Sequence, residues 1–174
     1  MIPKTKWRSQ LLLQRRSLSE ARRNEASLAL RENLLERGSV LSFCSFQSEI
    51  DTSLLNAALA SQGRLFLPRV EGTSLIAYHV TDPEKQLIRS SLGVLEPDPA
   101  LCSPISFSQL ERILVPGLGF DRRFFRLGYG KGHYDRLLAS TDLPSIGIGF
   151  KEQLIEECLP TDTWDVPVHE LYLF

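Results

Sequence analysis

Three cysteines in 174 residues, at 44, 102 and 158, are too scattered and odd in number for a disulfide framework or a paired-cysteine zinc site. They read as ordinary cytosolic thiols. The three histidines, His79, His133 and His169, have no metal-ligand spacing, which argues against a zinc centre. No run approaches the ~20 apolar residues that cross a bilayer, and the opening MIPKTKWRSQ lacks the apolar stretch of a signal peptide. A cytoplasmic protein without a membrane partner is therefore expected. No internal repeat, low-complexity tract or long linker is present, and no Ser, His and acid set suggests a covalent nucleophile.

What remains is a globular composition, 43% hydrophobic and 24% charged. A chain of this length can remove roughly 70% of its unfolded surface from water. One domain over residues 1–174 is expected, with N-terminal helices over 4–37 and an α/β core over 38–174, and a monomer is the default. The net charge of −1 is unevenly spread. Residues 1–37 hold nine Lys or Arg against four Glu, and residues 121–136 hold five against two Asp, so by subtraction the remainder carries −9. Two positive islands in an acidic body suit a small anionic ligand better than a nucleic acid, although a basic helix face is as often simply solvated.

Leucines 11, 12, 18, 28, 34 and 35 are spaced for two helices, the second running over about Leu18 to Arg37. Ser17 and Glu20 have capping-box spacing, and Gly38 can supply a left-handed stop. Val40–Phe46, Arg64–Arg69, Ser74–Val80, Arg112–Pro116 and Ser145–Phe150 read as short strands, and TSLLNAALASQ reads as a helix ended by Gly63. The Pro-rich stretch Glu96–Pro104 reads as an irregular surface crossing. Strands alternating with helices predict a largely parallel sheet covered on both faces, with ligands beyond its carboxyl ends.

The most informative stretch is PGLGFDRRFFRLGYGKGHYDRLL, where glycines 117, 119, 128, 130 and 132 alternate with Arg122, Arg123, Arg126, Lys131 and Arg136. Glycine lets successive amide N–H groups point into one concavity, a geometry that binds phosphate oxygens, above all where a helix follows, here from about Tyr134 to Ala139. The letters do not fit the common signatures. A Walker A loop would need glycine at Phe125 and Ser or Thr at Gly132, and a dinucleotide fingerprint fails at Arg122, His133 and Glu152.

These residues resemble the 5-formyltetrahydrofolate cyclo-ligase (5,10-methenyltetrahydrofolate synthetase) family. The likeness spans nearly the whole chain: Lys4 and Arg8 in a KxxxR opening, Arg16 in RSLS, Glu49 to Thr52 in SEIDT, Pro68 in LPR, Glu96 and Pro97 after Gly93, then VPGLGFD, RLGYGKGHYDR, Trp164 and Asp165. The family loop is close to RLGYGGGYYDR, so Lys131 and His133 are departures. Lys131 adds a cation beside a polyphosphate, though its Cβ could narrow the nest.

The resemblance implies a three-layer α/β sandwich and a reaction in which ATP phosphorylates the N5-formyl oxygen, folate N10 attacks, and phosphate leaves to give the methenyl ring. It implies ATP contacts from Lys4, Arg8, Arg126, Leu127, Gly128, Tyr129, Gly130, Lys131, Gly132, His133 and Tyr134, with Arg126 and Lys131 as the catalytic residues. Folate would meet Cys44, Glu49 and the loop residues 128–132, and Mg²⁺ would meet Asp135 and Asp165. Each residue has a blander alternative. Lys4 and Arg8 could form a solvated face, Asp135 a helix cap, Asp165 a turn, Glu49 a loop carboxylate, and Cys44 core packing. Tyr129 could stack on a ligand ring, and Trp164 could pack at the domain edge. Two functional rivals use the same loop: a nucleotide- or folate-binding module without turnover, and a kinase acting on another small molecule.

Overall fold

The computed structural model describes residues 2–35 and 38–174. Helices α1 (Lys4–Arg16) and α2 (Glu20–Leu34) lead into β1 (Val40–Leu41) and α3 (Ser53–Ser61). Then follow β2 (Leu65–Glu71), β3 (Ser74–His79), β4 (Leu87–Arg89), β5 (Leu95–Pro97), β6 (Pro104–Ile105), β7 (Arg112–Pro116), β8 (Gly119–Asp121) and β9 (Arg126–Leu127). Helix α4 (His133–Ala139), β10 (Ser145–Gly149), β11 (Leu154–Ile155) and β12 (Glu170–Leu173) complete the order.

The main sheet runs β12-β10-β7-β1-β2-β3-β6. Its first five strands are mutually parallel, and β3 and β6 are added antiparallel. Side-chain alternation along each strand feeds two cores. Leu65 and Leu67 of β2 join Leu114, Ile146 and Ile148 under α2 and α3. Phe66 of the same strand joins Ile113, Val115 and the α4 leucines 137 and 138 on the opposite face. Helices cover both faces of the sheet, the three layers that the strand and helix alternation predicts.

Four local expectations need correction. The cap of α2 is Ser19, whose side chain accepts from Arg22 N–H at 3.2 Å, while Ser17 instead closes α1. The predicted helix end at Glu36 and Arg37 lies outside the described residues. The strand expected over Val40–Phe46 stops at Leu41, because Thr52 Oγ1 and Asn56 Nδ2 both donate to the Phe43 carbonyl, at 2.7 and 2.9 Å, and take it from any ladder. Glu96 and Pro97 are buried in a two-stranded ribbon with β4, so the Pro-rich stretch is not wholly a surface crossing. Trp164 is 67% exposed and does not pack at an edge.

A small second sheet, β11-β8-β9, delivers the glycine-rich loop. Its hairpin turn is organised by Asp121, which is 1% exposed and accepts from the Arg123 and Phe125 amides, the Arg123 guanidinium and the Leu159 amide. A buried carboxylate with this many donors cannot be removed without orphaning them. Asp121→Ala is expected to cost about 3–5 kcal/mol, read as a lowered urea midpoint.

Candidate active site

Chain order places β1 and β2 on one side of the sheet centre and β7, β10 and β12 on the other, so the winding reverses between β1 and β7. In open α/β sheets the crevice beyond the carboxyl ends at such a reversal is where ligands bind. The segment after β1 carries Cys44 and Glu49, and the segment after β7 leads through β8 and β9 into Gly128–Gly132.

Arg126 sits at the entry to that loop with only 6% of its side chain exposed. Its Nη2 forms an ion pair with Asp135 Oδ2 at 3.0 Å, and among the described residues its Nε has no hydrogen-bond partner. Burial pulls its pKa below the ordinary value, with Asp135 acting against that. Its guanidinium also lies 5.4 Å from the Tyr134 ring centre. Buried cationic donors left open mark a place where an anion fits.

The loop's glycines have separate reasons. A Cβ on Gly128 would stand 2.8 Å from Arg126 Nη1, so glycine makes room for the guanidinium. Gly130 has φ +95° and faces Arg8, whose Nε donates to the Gly128 carbonyl at 2.9 Å. Gly132, at φ +67°, precedes α4. Asp135 is therefore inside the helix's first turn and is not its cap. Gly130→Ala puts a side chain at a strained φ and 3.2 Å from Arg8 Nη2. It is expected to weaken nucleotide binding about tenfold, read by calorimetric titration.

His133 Nδ1 and Arg136 Nε both meet the Thr73 carbonyl, at 3.1 and 2.9 Å, pinning the helix start to the β2–β3 turn. Lys131 is exposed at the loop's tip. Leu127 is buried against Leu11 and Ile155, so only its backbone can face a ligand.

Lys4 donates to Asp162 Oδ2 and Asp165 Oδ2, each at 2.6 Å. Burial pulls the Lys4 pKa down, but these two carboxylates together carry it above its ordinary value. Asp165 also closes a turn by accepting from the Asp162 amide at 2.7 Å, and the next amide, Val166, reaches Asp135 Oδ1 at 3.5 Å. The structure thus brings Asp135, Asp165, Lys4 and Arg126 together. Among the described residues no three His, Cys, Asp or Glu side chains group as a metal cage. A Mg²⁺ that also takes phosphate oxygens needs only one or two carboxylates; the two here, Asp135 and Asp165, are each ion-paired, with Arg126 and Lys4.

On the other wall Glu49 accepts from the Phe46 amide at 2.9 Å. Burial pushes its pKa up to about 6, while the Phe46 amide and the Arg15 charge pull the other way. Phe46 packs edge-on to Tyr129, ring centres 6.3 Å apart. Cys44 is pushed up to about 12, first by burial and then by Glu96, so it stays a thiol and is no nucleophile. Two features had no legible signal. Arg15, one basic residue among many in α1, is 1% exposed and reaches Tyr129, and Asp162 shares Lys4 with Asp165.

The model of the 5-formyltetrahydrofolate cyclo-ligase family matches residues 2–173. The chain is 32% identical to the Escherichia coli (strain K12) 5-formyltetrahydrofolate cyclo-ligase, with 72% of each chain covered. It is 28% identical to the Mus musculus enzyme of the same name over 94% of this chain and 90% of that one. The Aquifex aeolicus 5,10-methenyltetrahydrofolate synthetase superposes with TM-score 0.83 at 33% identity, covering 97% of this chain and 88% of that one. A Mycoplasma pneumoniae synthetase, at 22% identity and TM-score 0.74 over 98% of each chain, shares the fold.

Proposed function

Since the chain belongs to the 5-formyltetrahydrofolate cyclo-ligase family, we propose how its own residues carry out the ATP-dependent closure of 5-formyltetrahydrofolate to 5,10-methenyltetrahydrofolate. The observation that carries the assignment is Arg126, a buried guanidinium beside a glycine nest, its Nη2 ion-paired with Asp135 and its Nε without a hydrogen-bond partner among the described residues. The ATP polyphosphate lies along residues 127–134, with Arg8, Arg126 and Lys131 facing its oxygens. Arg126 donates to the γ-phosphoryl group as charge develops there, a stabilisation that is strongest where water is excluded. Lys4, tied to Asp165 and Asp162, supplies a further cation for the phosphates.

Folate stands against Glu49, Cys44 and the loop residues 128–132, with the Glu49 carboxylate accepting pterin N–H groups. The formyl oxygen attacks the γ-phosphorus and ADP leaves. N10 then attacks the activated formyl carbon and gives up its proton, and the C–O bond breaks to release phosphate. The protein acts chiefly by holding the two ligands in line and screening charge. Asp135 and Asp165 would hold Mg²⁺, which when bound neutralises phosphate charge. We also place this reaction in the cytoplasm, in a monomer whose one domain spans residues 1–174. The acidic remainder of the chain supports small-molecule partners over nucleic acid or membrane.

Purified protein with 5-formyltetrahydrofolate, ATP and Mg²⁺ is expected to generate the near-ultraviolet absorbance of the methenyl product, one ADP per turnover. ADP release without that absorbance would reassign the site to a kinase. Binding of both ligands without either signal would make it a non-catalytic module.

A further inference from the structure

The segment 46–49 closes a four-residue turn, Glu49 N–H donating to the Phe46 carbonyl at 3.1 Å. Within it Gln47 takes φ +54°, the left-handed region that glycine enters freely and a side chain resists. No glycine in the turn's sequence favours this shape, so it has to be imposed from outside. Two buttresses meet at Ser48. Its hydroxyl accepts from Arg15 Nε at 3.0 Å and its carbonyl accepts from Arg23 Nη1 at 3.0 Å. Arg23 in turn donates to the carbonyls of Leu18, at 3.2 Å, and Arg15, locking the α1–α2 corner behind the turn.

Arg15 has two further bonds. Nη1 donates at 3.1 Å to the Gly117 carbonyl at the mouth of β7, where buried Gln153 also donates at 2.8 Å. Nη2 donates at 2.7 Å to the hydroxyl of Tyr129 in the glycine-rich loop. At 1% exposure Arg15 stands behind the crevice, out of a ligand's reach. A planar fork with donors at fixed angles suits three acceptors on three segments, which a lysine could not serve.

We infer that Arg15, backed by Arg23, is a positioning residue: it sets the separation between the turn bearing Glu49 and the loop bearing Tyr129, and so where folate stands relative to the phosphates. This rests on the folate and ATP assignments above. Arg15 touches the loop only at the Tyr129 hydroxyl and not at the main-chain amides that receive phosphate, and Arg8 and Arg126 keep their own contacts, so its loss weighs on folate more than on ATP.

Arg15→Met is expected to raise KM for 5-formyltetrahydrofolate about tenfold with KM for ATP changed by less than about twofold. Adding Gln47→Gly, which accepts the turn's φ without strain, should recover about threefold of that loss. A purely structural role would predict no such recovery. Ser48→Ala, which deletes one acceptor at a partly exposed position, should raise the folate KM about threefold even if Arg15→Met does not fold. Parallel rises in both KM values, or an unchanged folate KM, overturn the inference. If the wild-type protein forms no methenyl product, the functional reading fails separately, and amide exchange in the ligand-free protein decides the clamp. Faster exchange in Ser48→Ala confined to residues 46–49 supports it, and unchanged or uniformly faster exchange overturns it.

Discussion

Arg126→Met is expected to lower kcat/KM for ATP about a thousandfold while the protein stays folded. The side chain is nearly enclosed; its Nη2 is ion-paired with Asp135, while its Nε has no hydrogen-bond partner among the described residues and is poised for a ligand. Charge-assisted hydrogen bonds contribute about 1.5–3 kcal/mol each, and two of them on a phosphoryl group sum to about 3–6 kcal/mol. Methionine keeps much of the packing beneath Tyr134 and removes the cost of a buried cation, which offsets the loss of the Asp135 ion pair. The unfolding midpoint should therefore change little as catalysis falls, a disproportion that a folding defect cannot produce. Lys131→Ala removes an exposed cation and should cost only about tenfold. Steady-state rates at varied ATP, with melting curves on the same samples, check both variants. Arg126→Met with undiminished kcat/KM, or with the loss confined to folate, would remove this residue from the nucleotide site.

Glu49→Gln should raise KM for 5-formyltetrahydrofolate about a hundredfold and at the same time stabilise the ligand-free protein. The Glu49 carboxyl is shifted from its ordinary 4.5 up to about 6, with burial the largest cause. A raised folded-state pKa means that the favourable contribution belongs to the protonated form. It is fully present below pH 4.5, is lost as pH rises through about 6, and leaves the ionised group a burden above that. The shift corresponds to about 2 kcal/mol at pH 7.5, which glutamine would relieve while its carbonyl keeps the Phe46 amide. The same titration governs binding. The wild-type folate KM should climb as pH falls through about 6, because the protonated carboxyl is a weaker acceptor, and the variant's profile should be flat there. Denaturant melts and KM measured across pH 5–8 test the two halves. A variant that is less stable and equally pH-dependent would contradict the assigned role.

The parts legible from sequence are those with a local cause. Buried parallel strands such as RLFLPR, RILVP and SIGIGF announce themselves as short apolar runs, and the glycines and cations of 126–136 announce an anion site. The β8, β9 and β11 strands are two or three residues long, below the length at which alternation can be read. Strand β12 mixes Glu170 with apolar residues and owes its place to pairing with β10. Val40–Phe46 looks like one strand because Phe43 and Phe46 are apolar, and only the fold reveals that Thr52 and Asn56 claim its backbone. Ser17 and Ser19 offer the same capping chemistry two residues apart, and the geometry at the end of α1 decides between them. Arg15 shows the limit most clearly. Its neighbour Arg16 is equally basic, and its role comes from segments 33, 102 and 114 residues away.

The central claim is that main-chain amides between Arg126 and Asp135 receive the nucleotide's phosphates. Titrating ATP into isotope-labelled protein and following backbone amide resonances tests it directly. The amides of Gly128, Gly130, Gly132 and His133 should shift most, and Arg126→Met should abolish the response at the same ATP concentration. If those resonances stay still while shifts gather elsewhere, as at the groove of about 520 Å³ lined by Arg22, Asn33 and Lys151, the phosphate site has been misplaced.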